Sequence, residues 1–305
     1  MSSVSSVVNN ERFAGVNEMV RNILRHALMI AATALLGGLL TATMVRFAPG
    51  FSVDERQLDS RLSPESMQAL REARAAERNV VHFYASYLYH AAHGDLGVSR
   101  TLNRPVRELL AERWPATLRS AGLGLLLGWV MALTLAVSAA MLRRGTFDVF
   151  ATLLAGAVLC IPSAVLALLS VFANGPAPLV VALIVFPRLY RYCRNLLAQS
   201  YNRPHLITAY AKGIGGPRIF CAHVLPLAGP QLLALAGVSV SMAFGAAIPV
   251  EAICGIPGIG QLAWQAALGR DLPLLLTLTV LVTLVTLFAN LTSDVVAQVL
   301  APRQG

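Results

Sequence analysis

The chain has 305 residues, of which 56% are hydrophobic and only 13% charged, with a mean hydropathy of +0.64. Soluble domains carry about a quarter charged residues, so an ordinary soluble enzyme, a disordered chain and a secreted disulfide scaffold are excluded, leaving a polytopic membrane protein. The net charge of +9 fits nucleic-acid binding on composition alone, but basic cytoplasmic loops of a membrane protein produce the same excess, and the positions of the charges decide.

A hydrocarbon core about 30 Å thick needs roughly 20 apolar residues per helix. The first charge-free run, residues 27–45, follows Arg12, Arg21 and Arg25. It is too long for a signal peptide and no cleavage site follows, so it reads as an uncleaved first span over 24–46, after a cytoplasmic segment 1–23. A loop over 47–116 follows. Within it Ser63-Pro64-Glu65 reads as an N-cap, a proline at the first helical position and an early acid. The stretch 80–90 holds Phe83, Tyr84, Tyr87 and Tyr89, aromatics that suit a helix at the membrane–water boundary. His82, His90 and His93 read as surface histidines rather than metal ligands.

Further spans are expected over 118–142, 149–173, 178–198, 227–251 and 273–299, the third and fourth separated by Asn174-Gly175-Pro176-Ala177-Pro178. These make one all-helical membrane domain over 24–305 with six spans and both termini on one side. Between Phe47 and Ala116 nine arginines face nine acids. The opposite loops hold Arg12, Arg21, Arg25, Arg143, Arg144, Arg191, Arg194, Arg203, Lys212, Arg218 and Arg303 against Glu11, Glu18 and Asp148. Arginine and lysine collect on the cytoplasmic side, so both termini are cytoplasmic and the loop 47–116 is external. Topology thus accounts for the charge, and no nucleic-acid partner is expected. The cysteines Cys160, Cys193, Cys221 and Cys254 lack ligand spacing, so no metal is expected.

Two places carry chemistry. The inward loop 199–226 contains Thr208-Ala209-Tyr210-Ala211-Lys212-Gly213, nine further residues, then His223-Val224-Leu225-Pro226. A short helix, a glycine turn, a second short helix and a proline leading into the next span is one reading, and an ordinary basic connecting loop is the other. Intramembrane acids are costly and default to functional or paired roles. Glu251, beside Gly255-Ile256-Pro257-Gly258-Ile259-Gly260, reads as bracing an external turn or gating, with direct substrate contact as the alternative. Asp294 reads as half of a salt bridge, with Arg188 or with an arginine of a partner. His223 has no second histidine or cysteine at ligand spacing and reads as a loop contact.

The Ala-x-x-x-Gly element at Ala209–Gly213, followed by Leu225-Pro226, resembles the "EAA" loop of bacterial ABC importer permeases. Thr208-Ala209-x-Ala211-Lys212-Gly213 with His223 resembles the dipeptide/oligopeptide/nickel branch. The same branch is matched by Gly94-Asp95-Leu96-Gly97-x-Ser99, Pro115-Ala116-Thr117, Glu251 with Gly255, Pro257, Gly258 and Gly260, the Gly269-Arg270-Asp271-x-Pro273 element, and Asn290 with Asp294. The sequence departs from that pattern at Ile207, where the leading glutamate would stand, and in the short linker 174–178.

The resemblance implies a type I importer permease in the bacterial inner membrane. Its expected partners are a second, related permease subunit, two cytoplasmic ATPases, an external solute-binding protein and membrane lipid. The chain itself has no GxxxxGK[ST] loop, so no cofactor is expected on it, and ATP and Mg belong to the partner ATPases. Peptides, nickel or metal chelates are the cargo it implies. The residues around 206–212 would sit in a groove of an ATPase, and catalytic residues are not expected. An ATP-independent channel or secondary transporter is the alternative class.

Overall fold

Along the second expected span, Ser120, Gly124, Gly128, Ala132 and Ala136 recur at every fourth position and so share one helix face. Lipid tails are as apolar as leucine, so helices in a bilayer associate through close packing of such small residues rather than through hydrophobic expulsion. The structure is a computed structural model and describes residues 28–29, 32–33, 35–44, 80–142 and 145–300. All five small residues are buried. They face Val181, Ala182, Val185 and Phe186, buried on a neighbouring helix. A Cβ on Gly124 would lie 2.6 Å from the Val181 side chain, so this contact is closer than alanine permits.

The described helices are α1 (Leu35–Met44), α2 (Val80–Ala92), α3 (Val106–Leu142), α4 (Gly145–Cys160), α5 (Ser163–Phe172), α6 (Ala177–Tyr201), α7 (Pro204–Ala211), α8 (Gly216–Ile219), α9 (Leu225–Cys254), α10 (Ile259–Leu268) and α11 (Leu272–Leu300). A single π-turn, Phe220–Val224, joins α8 to α9. Among the described residues no strand occurs, only an isolated bridge between Val98 and Pro105. The main core packs α3, α6 and α9 together, with Tyr190, Phe186, Leu189 and Leu197 fully buried. Trp129 Nε1 donates to Ser239 Oγ at 3.0 Å, tying α3 to α9. At Gly237 α9 meets α11 without intervening side chain: the Gly237 amide donates to Ser293 Oγ at 3.2 Å.

The helix positions follow the hydropathy closely, with two differences. The segment expected as one helix over 149–173 is two, α4 and α5, bent by 88° at Ile161-Pro162. Proline has no amide hydrogen to donate and disfavours helical backbone in the residue before it; Pro162 itself is extended, at φ −56° and ψ 138°. The helix expected from 118 begins at Val106, with Pro115 inside it, so the loop expected over 47–116 is shorter than hydropathy alone marks. Among the described residues α3, α8–α9 and α11 are by length and hydropathy long and apolar enough to cross a membrane, and the α4–α5 pair reaches that length only as a unit, as one broken span or a re-entrant loop. The expected helix at Ser63–Glu77 and most of the first span lie outside the described residues.

The aromatic stretch is helical, as α2, and packs against neighbouring helices. Tyr84 is buried against α1 and its hydroxyl donates to the Leu35 carbonyl at 2.9 Å. Tyr87 donates to Thr277 Oγ1 at 3.0 Å. α2 therefore bridges α1 and the N-terminal part of α11, with Ala42, Leu272 and Leu276 buried between them.

Candidate functional site

The loop 199–226 folds with one face anchored in the core. α7 is stopped at Gly213, whose φ of +73° is a left-handed backbone conformation that glycine adopts without strain. The Ile214 amide reaches back to the Ala209 carbonyl at 3.3 Å, the reversed bond that closes a helix end with a glycine in this conformation. Leu206 and Ala209 are buried in the hydrophobic core of the protein together with Ile219 and Val224. Thr208, Ala211, Lys212 and Gly213 are exposed on the opposite side, as are Leu225 and Pro226, and His223 is half-buried in the π-turn. The second short helix is not separate: α8 runs through the π-turn directly into α9. A force applied to the exposed face of α7 would pass through Leu206 and Ile219 into the core.

At the opposite end, α9 terminates at Gly255, φ +66°, and the chain turns through Pro257 and Gly258 into α10. Glu251 is fully buried beneath this turn. Its Oε2 accepts from Thr117 Oγ1 at 2.9 Å and from the Gly260 amide at 2.8 Å, and its Oε1 accepts from Ser120 Oγ at 2.5 Å. Thr117 Oγ1 in turn accepts from the Ile259 amide at 2.7 Å. A buried carboxylate is tolerable when hydrogen-bonded in this way. Glu251 thus ties α3, α9 and the start of α10 into one unit and presents no atom to solvent.

Two glycines make room for this arrangement. A Cβ on Gly258 would overlap the Glu251 carboxylate, and one on Gly260 would overlap the Ile248 carbonyl. The Gly260 neighbour is helix backbone and cannot rotate away. Gly260→Ala is therefore expected to cost ~3 kcal/mol as an overpacked contact. Gly255→Ala meets nothing within 4 Å and is expected to cost ~1 kcal/mol from its left-handed backbone. Thermal unfolding of the two purified variants checks the order; equal melting temperatures would contradict it.

A second buried acid fastens the start of α11 to the segment that leads into α3. Asp271, fully buried, accepts from Ser99 Oγ at 2.6 Å and the Thr101 amide at 3.0 Å on Oδ2, and its Oδ1 caps α11 by accepting from the Leu274 amide at 3.3 Å. The Gly94–Ser99 and Gly269–Pro273 motifs are one structural joint. Arg270 beside it is exposed with φ +51°. Sequence reasoning assigns no role to the partners Ser99, Thr117 and Ser120. Thr117 and Ser120 share a helix face at i, i+3, a signal of a polar contact at membrane depth that does not name its partner.

The remaining candidates do not join these groups. Asp294 lies on α11, and its side chain, with the pairing to Arg188 expected for it, is outside the described residues. Among the described residues no three His, Cys, Asp or Glu side chains gather as a metal site. His93 Nδ1 lies 2.8 Å from the Tyr89 carbonyl, and His90 approaches Asp95 at 4.0 Å on the exposed end of α2.

Comparison with known proteins now bears on this geometry. Residues 124–305 match the family described as "Binding-protein-dependent transport system inner membrane component". The chain is 29% identical to the oligopeptide transport system permease protein OppB of Escherichia coli, across 93% of this chain and 99% of that one. It is 25% identical to a putative peptide transport system permease protein of Brucella suis, with the same coverage. Among solved structures, an inward-facing MetNI methionine ABC transporter superposes with a TM-score of 0.59 at 19% identity, covering 64% of this chain and 98% of that one; this likeness concerns the fold. The family match spans α4 through α11 and the second half of α3, the elements that carry the loop 199–226 and Glu251, and the chain belongs to the binding-protein-dependent transport system inner membrane component family.

Proposed function

We propose that the chain is one of two membrane subunits of an ATP-driven peptide importer. The observation that carries this reading is the lever at 204–226: a short helix with a buried inner face and an exposed outer face of Thr208, Ala211 and Lys212. Such a surface fits a groove on a soluble partner, and the family supplies the kind of partner, an ATPase. Closure of two ATPases around ATP and Mg would move α7 as a rigid body and rock the bundle between inward- and outward-open states. Because only differential binding to two conformations shifts their balance, the ATPases, not this chain, set the direction. In this reading the chain has six spans and cytoplasmic termini, with α7 inside and the Glu251 turn outside. There the turn and the Ser99–Asp271 joint form a firm platform for a solute-binding protein. Peptide is the cargo we assign, because the relatives named above are named for peptide and oligopeptide transport.

Reconstitution of the chain with its partner permease, both ATPases and the binding protein in proteoliposomes tests the reading. ATP-dependent accumulation of small peptides is the expected outcome. Accumulation of nickel in place of peptide would reassign the cargo. Equilibration of solute without ATP would replace the importer with a channel.

A further inference from the structure

The break between α4 and α5 places non-helical backbone at membrane depth. That is tolerated where it is buried in protein or lines a water-filled cavity. Here it lines one: a cavity of about 640 Å³ is walled by Ile161, Pro162 and Ser163 from the break, Arg188 from α6, and Ser241 and Gly245 from α9. This volume falls within the range of small-ligand sites.

Arg188 is exposed within the isolated chain. It is the twelfth of the 25 residues of α6, about 16 Å from that helix's outer end at a rise of 1.5 Å per residue. A charge at this depth is costly, so it faces a water-filled cavity or takes a partner, and it marks substrate or ion pathways. The described acids within the bundle are engaged elsewhere. Asp148 is bound by both Arg194 Nε and Nη2, Glu251 by Thr117, Ser120 and Gly260, and Asp271 by Ser99 and Thr101. No acid stands among the residues lining the cavity. The helix that carries Asp294 packs chiefly on α9 and α10. A second positive feature faces the same space: α5 begins at Ser163 with no side-chain cap on its first turn, and an uncapped helix N-terminus attracts anions.

We propose that Arg188 and the N-terminal turn of α5 form a carboxylate-binding site on the translocation path, which takes the C-terminal carboxylate of the peptide cargo. This rests on the peptide-import reading. A free C-terminal carboxylate is the one anionic group common to peptides of any sequence, and a guanidinium holds it with two parallel hydrogen bonds. Such a site accepts varied side chains, because it reads only the end of the chain.

Two measurements on the assembled importer in proteoliposomes test this. In a background lacking the four native cysteines, the Ser241→Cys variant is labelled with an anionic and a cationic methanethiosulfonate reagent. Adding Arg188→Gln is expected to lower the anionic-to-cationic rate ratio by ~10-fold, and Arg188→Lys by less than ~3-fold, since the nearby positive charge sets the local anion concentration. Separately, uptake of trialanine is compared with that of its C-terminal amide. The acid-to-amide ratio is expected to fall at least ~10-fold in R188Q relative to the unsubstituted importer, as charge-assisted hydrogen bonds are lost; selection by the binding protein cancels in that comparison. Failure of the S241C thiol to react with either reagent, or unchanged ratios, would overturn the proposal. So would an R188Q chain that no longer assembles with its partner permease, which would assign Arg188 to an ion pair between subunits. If the unsubstituted importer carries neither peptide form, the peptide reading fails, while the labelling ratio still decides whether the cavity holds anions.

Discussion

Gly213→Val is expected to abolish ATP-driven uptake while the protein still reaches the membrane. The reason is conformational rather than steric: a Cβ at Gly213 meets nothing within 4 Å, but φ is +73°. The left-handed conformation costs an L-residue ~1–2 kcal/mol, and a β-branched side chain restricts the backbone further. The chain escapes that strain by unwinding the end of α7, which breaks the Ile214-to-Ala209 bond and moves Lys212 off the exposed face. Leu206 and Ile219 remain in the core, so folding survives. Gly213→Asn, which tolerates the same conformation, is expected to keep most of the transport. The measurement is peptide uptake set beside the amount of protein in the membrane and ATPase activity in the presence of the binding protein. Uptake by the valine variant at the unsubstituted rate would remove α7 from the coupling path.

The second large effect is expected at Glu251. Glu251→Ala strips the acceptor from the Thr117 and Ser120 hydroxyls and from the Gly260 amide. A buried donor left without a partner costs ~1–3 kcal/mol. With the helix turn at Pro257–Gly260 losing its tie to α3, the total is expected to exceed ~3 kcal/mol. The apparent melting temperature should fall by roughly 6–12 °C, and uptake should fall in proportion to the folded protein that remains. Glu251→Gln keeps one acceptor oxygen, and the two hydroxyls can rotate to accept from its amide, so it is expected to fall between. A Glu251→Ala protein that stays fully folded yet loses uptake would identify Glu251 as a cargo or gating residue instead of a brace.

How far these groups were visible in the sequence differs by residue. Gly213 was legible because its role is local: a glycine after a short apolar helix and before a second one is a helix stop wherever it occurs. Glu251 was legible as a costly acid at membrane depth, but its role was open between brace and substrate contact. Deciding the geometry required Ser120 and Thr117, which lie 131 and 134 positions away. Asp271 was matched as part of a motif, while its partner Ser99 stands 172 positions earlier. The aromatic run at Phe83–Tyr89 was legible as a helix with polar ring tips, but the acceptors of Tyr84 and Tyr87, the Leu35 carbonyl and Thr277, lie 49 and 190 positions away and could not be named from it.

The sequence by itself determined that this chain is a membrane protein built of helices, which loops carry the positive charge, and that a glycine stops a short helix at position 213. Each follows from hydropathy, charge and backbone preference over neighbouring residues. Only the tertiary structure decided that the chain bends by 88° at Ile161-Pro162, that Glu251 is sealed under the turn at Gly255–Gly258, and that Arg188 opens onto a cavity beside an uncapped helix end. A proline permits a bend without setting its angle, and a buried charge demands a partner without naming one. Both are settled by which helices pack together, and that packing rests on small residues such as Gly124 and Gly237, whose value lies in what approaches them.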